Sequence, residues 1–321
     1  MGLDFYIAIL PQVLIDGLTL GFLYAVVALG YTMVYGILEL INFAHGEIFM
    51  VGAFVGTEVL LLLQATGMLE GMNPFLSLFG ALLIATLFTG SLGVGVERIA
   101  YRPLRKSPRL VVLISAIGVS FLLQDLVRLV EGLHRGAFFL NSPQLFTESI
   151  NLTDAAILPH KSIIIMASAI IMMIGLQMFV SKTKWGKAMR AVAQDQSTSS
   201  LMQINVNKVI AITFFIGSGL GGATGVLYAQ YYSTINPFIG FLLGLKAFTA
   251  AVLGGIGNIQ GAMFGGVMLG LFESFGSAYL EPLTHGAMGA EYKDVLAFSL
   301  LILVLLFKPE GLFGEAVKEK V

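Results

Sequence analysis

Long apolar runs, each broken by a short polar or glycine-rich stretch, follow one another along the whole chain. A run of about 20 apolar residues is what an α-helix needs to cross a bilayer, and candidates fall at 12–37, 48–69, 75–96, 110–130, 162–180 and 209–231. Three more follow. The runs 241–253 and 262–279 flank a glycine-rich turn, and 295–307 must begin a few residues earlier, because thirteen residues of helix reach only ~20 Å. The expected fold is all-α, a polytopic membrane helix bundle of about eight to ten transmembrane helices, with about nine as the central count. Residues 1–321 read as a single transmembrane domain. The first residues lack the basic region and small-residue cleavage site of a signal peptide, so the first apolar run is expected to stay in the mature protein.

Composition sharpens this reading. The chain is 57% hydrophobic and only 12% charged, which excludes an ordinary water-soluble core. Its net charge of -1 is spread over dispersed loops with no continuous basic patch, so nucleic acid is not an expected partner. With no cysteine, disulfides, thiolate metal sites and thiol nucleophiles are excluded, and no metal site is expected.

Lysine and arginine set the orientation. Five lie between Arg98 and Arg109, five between Lys182 and Lys208, and Lys308, Lys318 and Lys320 close the chain. These three regions are expected in the cytoplasm, with the C-terminus. The first 97 residues contain neither Lys nor Arg, so counting spans back from Arg98 puts the N-terminus outside. The stretch 132–161 is then an external loop, either a passive connector or a cover and docking surface.

Glycines recur at four-residue spacing: Gly17 and Gly21, then Gly217, Gly221 and Gly225, then Gly261 and Gly265, with Gly266 and Gly270 beside them. Such spacing stacks bare backbone on one helix face and lets two helices approach closely, as any tightly packed bundle requires.

Ionisable groups at membrane depth cost ~2.5 to 3.5 kcal/mol on insertion scales and mark candidate sites. The densest group is Glu39, Asn42, His45 and Glu47 in ELINFAHGEIF. It reads either as an interfacial loop or as a helix break lining a solute pathway. Asp125 and Arg128 have the i,i+3 spacing of a helical ion pair, while Glu58 carries no assignment. Lys246 and Glu273 read as lone charges that snorkel to the nearer surface, or, for Lys246, as a cation paired inside the bundle.

The turn 253–265 (LGGIGNIQGAMFG) holds five glycines and no charge. A phosphate-cradling role fails, since no GxxxxGK[ST] pattern occurs in the chain, and neither HExxH nor a G-x-S-x-G elbow is present. An enzyme, and nucleotide hydrolysis by this chain in particular, is therefore not expected. The polar segment 181–208 is the longest stretch able to meet a soluble cytoplasmic partner. Within it, 187–202 reads as one short helix, rich in Ala, Met, Gln and Ser, suited to docking.

Three blocks carry a family likeness: GLTLGFLYAVVALGYTMVYGILELINFAHGEIFMVGAF, GKAMRAVAQDQSTSSLMQINVNKVIAITFFIGSGLGGATGVLYA and FTAAVLGGIGNIQGAMFGGVMLG. Together they resemble the LivH-type permease of the branched-chain amino acid ABC importers, over about residues 14–311. The resemblance implies a multi-pass permease of the cell (inner) membrane that moves leucine, isoleucine and valine. It implies as partners a second permease subunit, two ATP-binding subunits and an extracytoplasmic solute-binding protein, with lipid around them. No cofactor is expected on this chain itself; ATP and Mg are used by the partner ATPase.

The loop at about 182–208 then carries the coupling helix, with Gly186, Arg190, Ala191, Asp195 and Leu201 as the expected coupling residues and Ala191 and Leu201 as apolar knobs. Gln203 stands where the family usually has glycine, and Ser199 and Ser200 where alanine is common. The expected solute pathway is Asn42, His45 and Glu47, with Glu39 beside them. Permeases for urea or short amides share these blocks, and an ion-coupled secondary transporter working through Glu39, His45 and Glu47 is the reading from another class, although no inverted hydropathy repeat is evident.

Overall fold

The first apolar run folds as α1 (Leu3–Leu38), longer than hydropathy alone suggests. It accommodates two polar residues early on because Gln12 donates to Asp16 one turn later, at 3.0 Å. The structure is a computed structural model and describes residues 3–314 except Glu39, Lys106 and Asp154. The expected pathway residue Glu39 and the C-terminal Lys318 and Lys320 therefore lie outside the described residues.

After α1 come α2 (Ala44–Ala65), the single turn α3 (Met68–Gly71) and α4 (Pro74–Val96), which runs on through a π-helical turn, Glu97–Tyr101. Helix α5 (Arg109–Arg135) leads into a loop with β1 (Leu140–Asn141), β2 (Ser149–Thr153) and β3 (Ala156–Pro159). Then follow α6 (His160–Lys182), α7 (Lys184–Gln194), α8 (Gln196–Leu201) and α9 (Val206–Tyr232). The short β4 (Thr234–Ile235) precedes α10 (Ile239–Gly254), α11 (Ile259–Leu283) and α12 (Lys293–Phe307).

The chain is thus a polytopic helix bundle. Among the described residues, seven helices are long and apolar enough to cross a membrane: α1, α2, α4, α5, α6, α9 and α11. The two remaining apolar runs form α10, of 16 residues, and α12, of 15, which at 1.5 Å per residue fall short of a hydrocarbon core of about 30 Å.

Helices α1 and α9 are the most buried and form the centre, with α2, α10 and α11 packed on them. The outer helices α4, α5 and α6 expose apolar side chains such as Phe79, Phe88, Ile114, Phe121, Ile171 and Ile174. Lipid is as apolar as these groups, so the outward faces need no partner, while the inward face of α4 packs closely on α9 through Gly90, Gly93 and Gly222. Glycine makes that packing possible between α1 and α11. A methyl group on Gly21 would stand 2.8 Å from the Val267 Cα, so the two backbones touch where any side chain would separate them.

The basic regions gather at one end of the bundle. Arg105 donates to Asn207 at 2.8 Å, joining the loop after α4 to the start of α9. Gln196 donates to the Ile37 carbonyl at the end of α1. The glycine-rich turn lies at this end too. Gly255 and Gly257 adopt φ of 102° and 96°, and the segment after α12 binds the turn, with Leu312 and Phe313 N–H donating to the Leu253 and Gly254 carbonyls.

At the opposite end the loop 132–161 is ordered: β1 pairs with β4, β2 pairs with β3, and the Ile157 N–H donates to Gln12 near the start of α1. The loop is therefore folded on itself and on α1, with Ile150, Leu152 and Ile157 exposed.

Candidate functional site

The polar cluster between the first two spans lies inside the bundle. After α1 ends, the chain turns back and α2 starts within it. The His45 ring sits against Gly30, eight residues or about 12 Å from the end of α1, and against Gly221 of α9. A methyl on Gly30 would overlap the imidazole, so the glycine makes the niche. The cluster is thus folded into the bundle near the end where α1 stops and Tyr101 approaches it. Asn42, His45 and Glu47 are all buried.

These groups are only partly satisfied. Tyr101 donates its hydroxyl to Asn42 Oδ1 at 2.6 Å, and Ser120 of α5 donates to Glu47 Oε1 at 3.3 Å. Asn42 Nδ2, both nitrogens of His45 and Glu47 Oε2 have no hydrogen-bond partner in the protein. The Val27 carbonyl lies near the imidazole but outside hydrogen-bonding geometry, and Tyr31 meets the ring edge-on at 4.7 Å between centroids. Each unpaired buried polar group costs about 1–3 kcal/mol, so four in one cluster are a poor way to build a membrane core.

A second buried polar cluster was not assembled by sequence reasoning. Lys246 of α10 and Glu273 of α11 do not snorkel. Their side chains are 6% and 2% exposed, and they pair at 2.8 Å. Lys246 also meets Asp294 at 2.7 Å, Lys293 meets Glu273 at 3.2 Å, and Tyr24 of α1 donates to Glu273 Oε2 at 2.7 Å. The two charges stand alone in sequence because they meet each other, and partners from α12 and α1, only across helices. Their unfavourable position in apolar runs was the only available signal. A cavity of about 400 Å³ opens on this network.

At the basic end, α7 and α8 replace the one helix expected at 187–202. Asp195 breaks the run with an extended backbone and caps α8 by accepting from the Ser197 and Thr198 N–H groups at 2.8 and 3.2 Å. Its carboxyl is held well below the usual carboxylate range, mainly by the Ser197 and Thr198 hydroxyls. Thr183 caps α7 by accepting from Gly186 N–H at 3.0 Å. Gly186 is buried against the last turn of α6, and Arg190 donates to the Val180 carbonyl there. Met189 and Val192 turn into the bundle and Ala191 is half-buried, whereas Leu201 and its neighbour Met202 stand exposed. A cleft of about 740 Å³ separates Arg190 and Gln194 from the glycine-rich turn and Phe313.

The pairs near the folded-loop end are simpler. Asp125 and Arg128 form the expected surface pair at 3.0 Å, and Glu58 accepts both ends of the Arg135 guanidinium at 2.7 and 2.8 Å.

A glycine-packed bundle with polar clusters buried in it and two short helices, α7 and α8, between long spans at its basic end fits a membrane transport subunit. The chain belongs to the family of branched-chain amino acid transport system permease components, which it matches over residues 13–305. It is 44% identical to the high-affinity branched-chain amino acid transport system permease protein BraD of Pseudomonas aeruginosa, over 97% of both chains. It shares 44% identity, again over 97% of both, with the high-affinity branched-chain amino acid transport system permease protein LivH of Escherichia coli K12. A stretch of 140 residues is 29% identical to the probable branched-chain amino acid transport permease protein LivM of Methanocaldococcus jannaschii, covering 41% of this chain and 40% of that one. No solved structure gave a significant match.

Proposed function

We propose that this chain is a permease subunit of an ATP-driven importer for branched-chain amino acids, a single membrane domain that works beside a second permease. The observation that carries this reading is 44% identity, over 97% of both chains, to permeases named for that solute class. The likeness to a LivM permease over part of the chain supports a homologous subunit as the neighbour. Two ATP-binding subunits hydrolyse ATP with Mg at the basic end, which by its lysines and arginines is the cytoplasmic one, with the C-terminus. A solute-binding protein docks at the other end, over the folded loop and the N-terminus. The short helices α10 and α12 join the seven long ones in the membrane as spans shielded by their neighbours.

Coupling runs through α7 and α8. The capped break at Asp195 gives this pair of helices a fixed shape, Gly186 and Arg190 tie it to α6, Ala191 sits at its base, and exposed Leu201, with Met202, is the apolar contact for the ATPase. In the bundle, Asn42, His45 and Glu47 serve the pathway, their unpaired atoms offering transient bonds to a passing solute; Glu39 belongs to the same proposal. A site that bound tightly would trap the solute.

The test is uptake of labelled leucine and of labelled urea into proteoliposomes holding the complete transporter, with and without ATP on the ATPase side. ATP-dependent leucine uptake is the expected result. ATP-dependent urea uptake keeps the architecture and changes the solute, and uptake driven by an ion gradient alone overturns the importer.

A further inference from the structure

The network around Lys246 has a chemistry of its own. Two lysines and two carboxylates, Lys246, Lys293, Glu273 and Asp294, form a net-neutral set in contact with one another, and the cavity of about 400 Å³ opens directly on all four. That volume lies near the lower end of ligand pockets, ~300 to 1,000 Å³, and suits a small solute. The cavity also has an apolar side. Leu242 and Leu243 line it, and at four and three residues before Lys246 they flank it one helical turn away. A second cavity, of about 380 Å³, shares Glu273 and Lys293 and reaches Gln12 and Asp16 of α1, toward the folded-loop end. The first cavity is also lined by Asn236 and Phe238 beside β4, so both spaces reach the charge network from the folded-loop end, where solute would arrive.

From this arrangement we infer that the cavity is a transit site for a zwitterionic α-amino acid with an aliphatic side chain, its ammonium received by Glu273 and Asp294 and its carboxylate by Lys246 and Lys293. The inference rests on the importer reading above and names where that solute passes. Charge balance is the reason. Breaking a buried ion pair strands charge at high cost, but a zwitterion brings one charge of each sign, so every lysine and carboxylate can exchange a partner within the network without any being left unpaired. A neutral amide, a monocarboxylate or a monoamine cannot do this. The apolar wall one turn from Lys246 stands where a branched side chain would lie when its carboxylate meets that lysine. A purely structural network tying α1, α10, α11 and α12 would need neither the cavity nor the wall.

The chain has no cysteine, so Leu242→Cys gives it one thiol in the cavity. The complete transporter with its binding protein, in nanodiscs, is treated with a small aqueous thiol reagent, and modification is read from the mass of this chain. Excess leucine should slow the reaction by about tenfold, whereas isovalerate, isopentylamine and urea should not. Absence of protection by leucine, or equal protection by isovalerate, overturns the site. If Leu242→Cys fails to assemble, Asn236→Cys places the thiol on the same cavity. Leucine uptake by the wild-type complex is measured alongside. Uptake without protection removes the site and leaves the importer standing, and absence of uptake removes the importer assignment and this proposal with it.

Discussion

Two buried polar clusters sit in this bundle, and they are built on opposite rules. The Lys246 network is built from ion pairs, Glu273 and Asp294 each meeting a lysine, with Asp294 Oδ1 close to Lys246 but outside hydrogen-bond geometry. The Asn42, His45 and Glu47 cluster relies on two side-chain hydrogen bonds and leaves four polar atoms unpaired. Charges cannot be kept in a low-dielectric interior without partners, so the first cluster must be complete to exist. Each unpaired polar group costs about 1–3 kcal/mol, and a permease gains by keeping some: a group already satisfied by the protein has nothing to offer a solute. The first cluster is expected to govern both stability and charge selection, the second passage with little influence on stability.

The sharpest way to break that contrast is Glu273→Ala. It takes the carboxylate from Lys293 and leaves Lys246 with Asp294 alone, and should destabilise the protein by ~1.5 to 3 kcal/mol, read as a fall in the thermal midpoint of the purified complex. Lys246→Met combined with Glu273→Met should recover much of that loss while leucine uptake stays abolished. Recovery of uptake in the double variant would reduce the network to a structural tie.

Next comes Gly30→Ala, whose methyl takes the space of the His45 ring. Overpacking of this kind costs ~1 to 3 kcal/mol, and uptake should fall with it. His45→Leu is the companion. Removing an unpaired polar ring should leave the thermal midpoint unchanged or slightly raised while uptake falls, and normal uptake would take His45 out of the pathway.

At the basic end, Leu201→Asp should leave the fold and midpoint unchanged, because the side chain is exposed, and should separate ATP hydrolysis from leucine uptake. Coupled transport at the wild-type ratio in that variant would move the ATPase contact elsewhere.

The smallest effect concerns Asp195. Its folded pKa lies below the unfolded value of about 3.9, so its contribution is complete above that value and is lost as pH falls through the folded one. Hydrogen exchange of residues 196–201 should therefore show no pH-dependent opening from about pH 5 to 8 beyond the intrinsic exchange rate. Asp195→Ala should speed that exchange at every pH. An opening transition near pH 6 would mean that another group holds α8.

The amino-acid order determined a great deal by itself. Apolar runs long enough to span a bilayer announced the long helices, and glycines four apart announced the faces of α1 and α11 that touch, because both patterns are local and periodic. The three basic segments were legible as one group, since positive charge is sorted by side. His45 and Glu47 were visible as polar groups in apolar company, and the order of the three blocks was enough to point to the family. Only the tertiary structure decided what those groups meet. That Lys246 pairs with Glu273 and Asp294 follows from α10, α11 and α12 lying side by side, with partners 27 and 48 residues away in the chain. That α2 starts inside the bundle follows from Gly30 and Gly221 opening a niche from two other helices. Periodicity reports which face of a helix is apolar and says nothing of its neighbour. Charge pairing in a membrane depends on the neighbour, because lipid provides no partner for a charge and another helix must provide it.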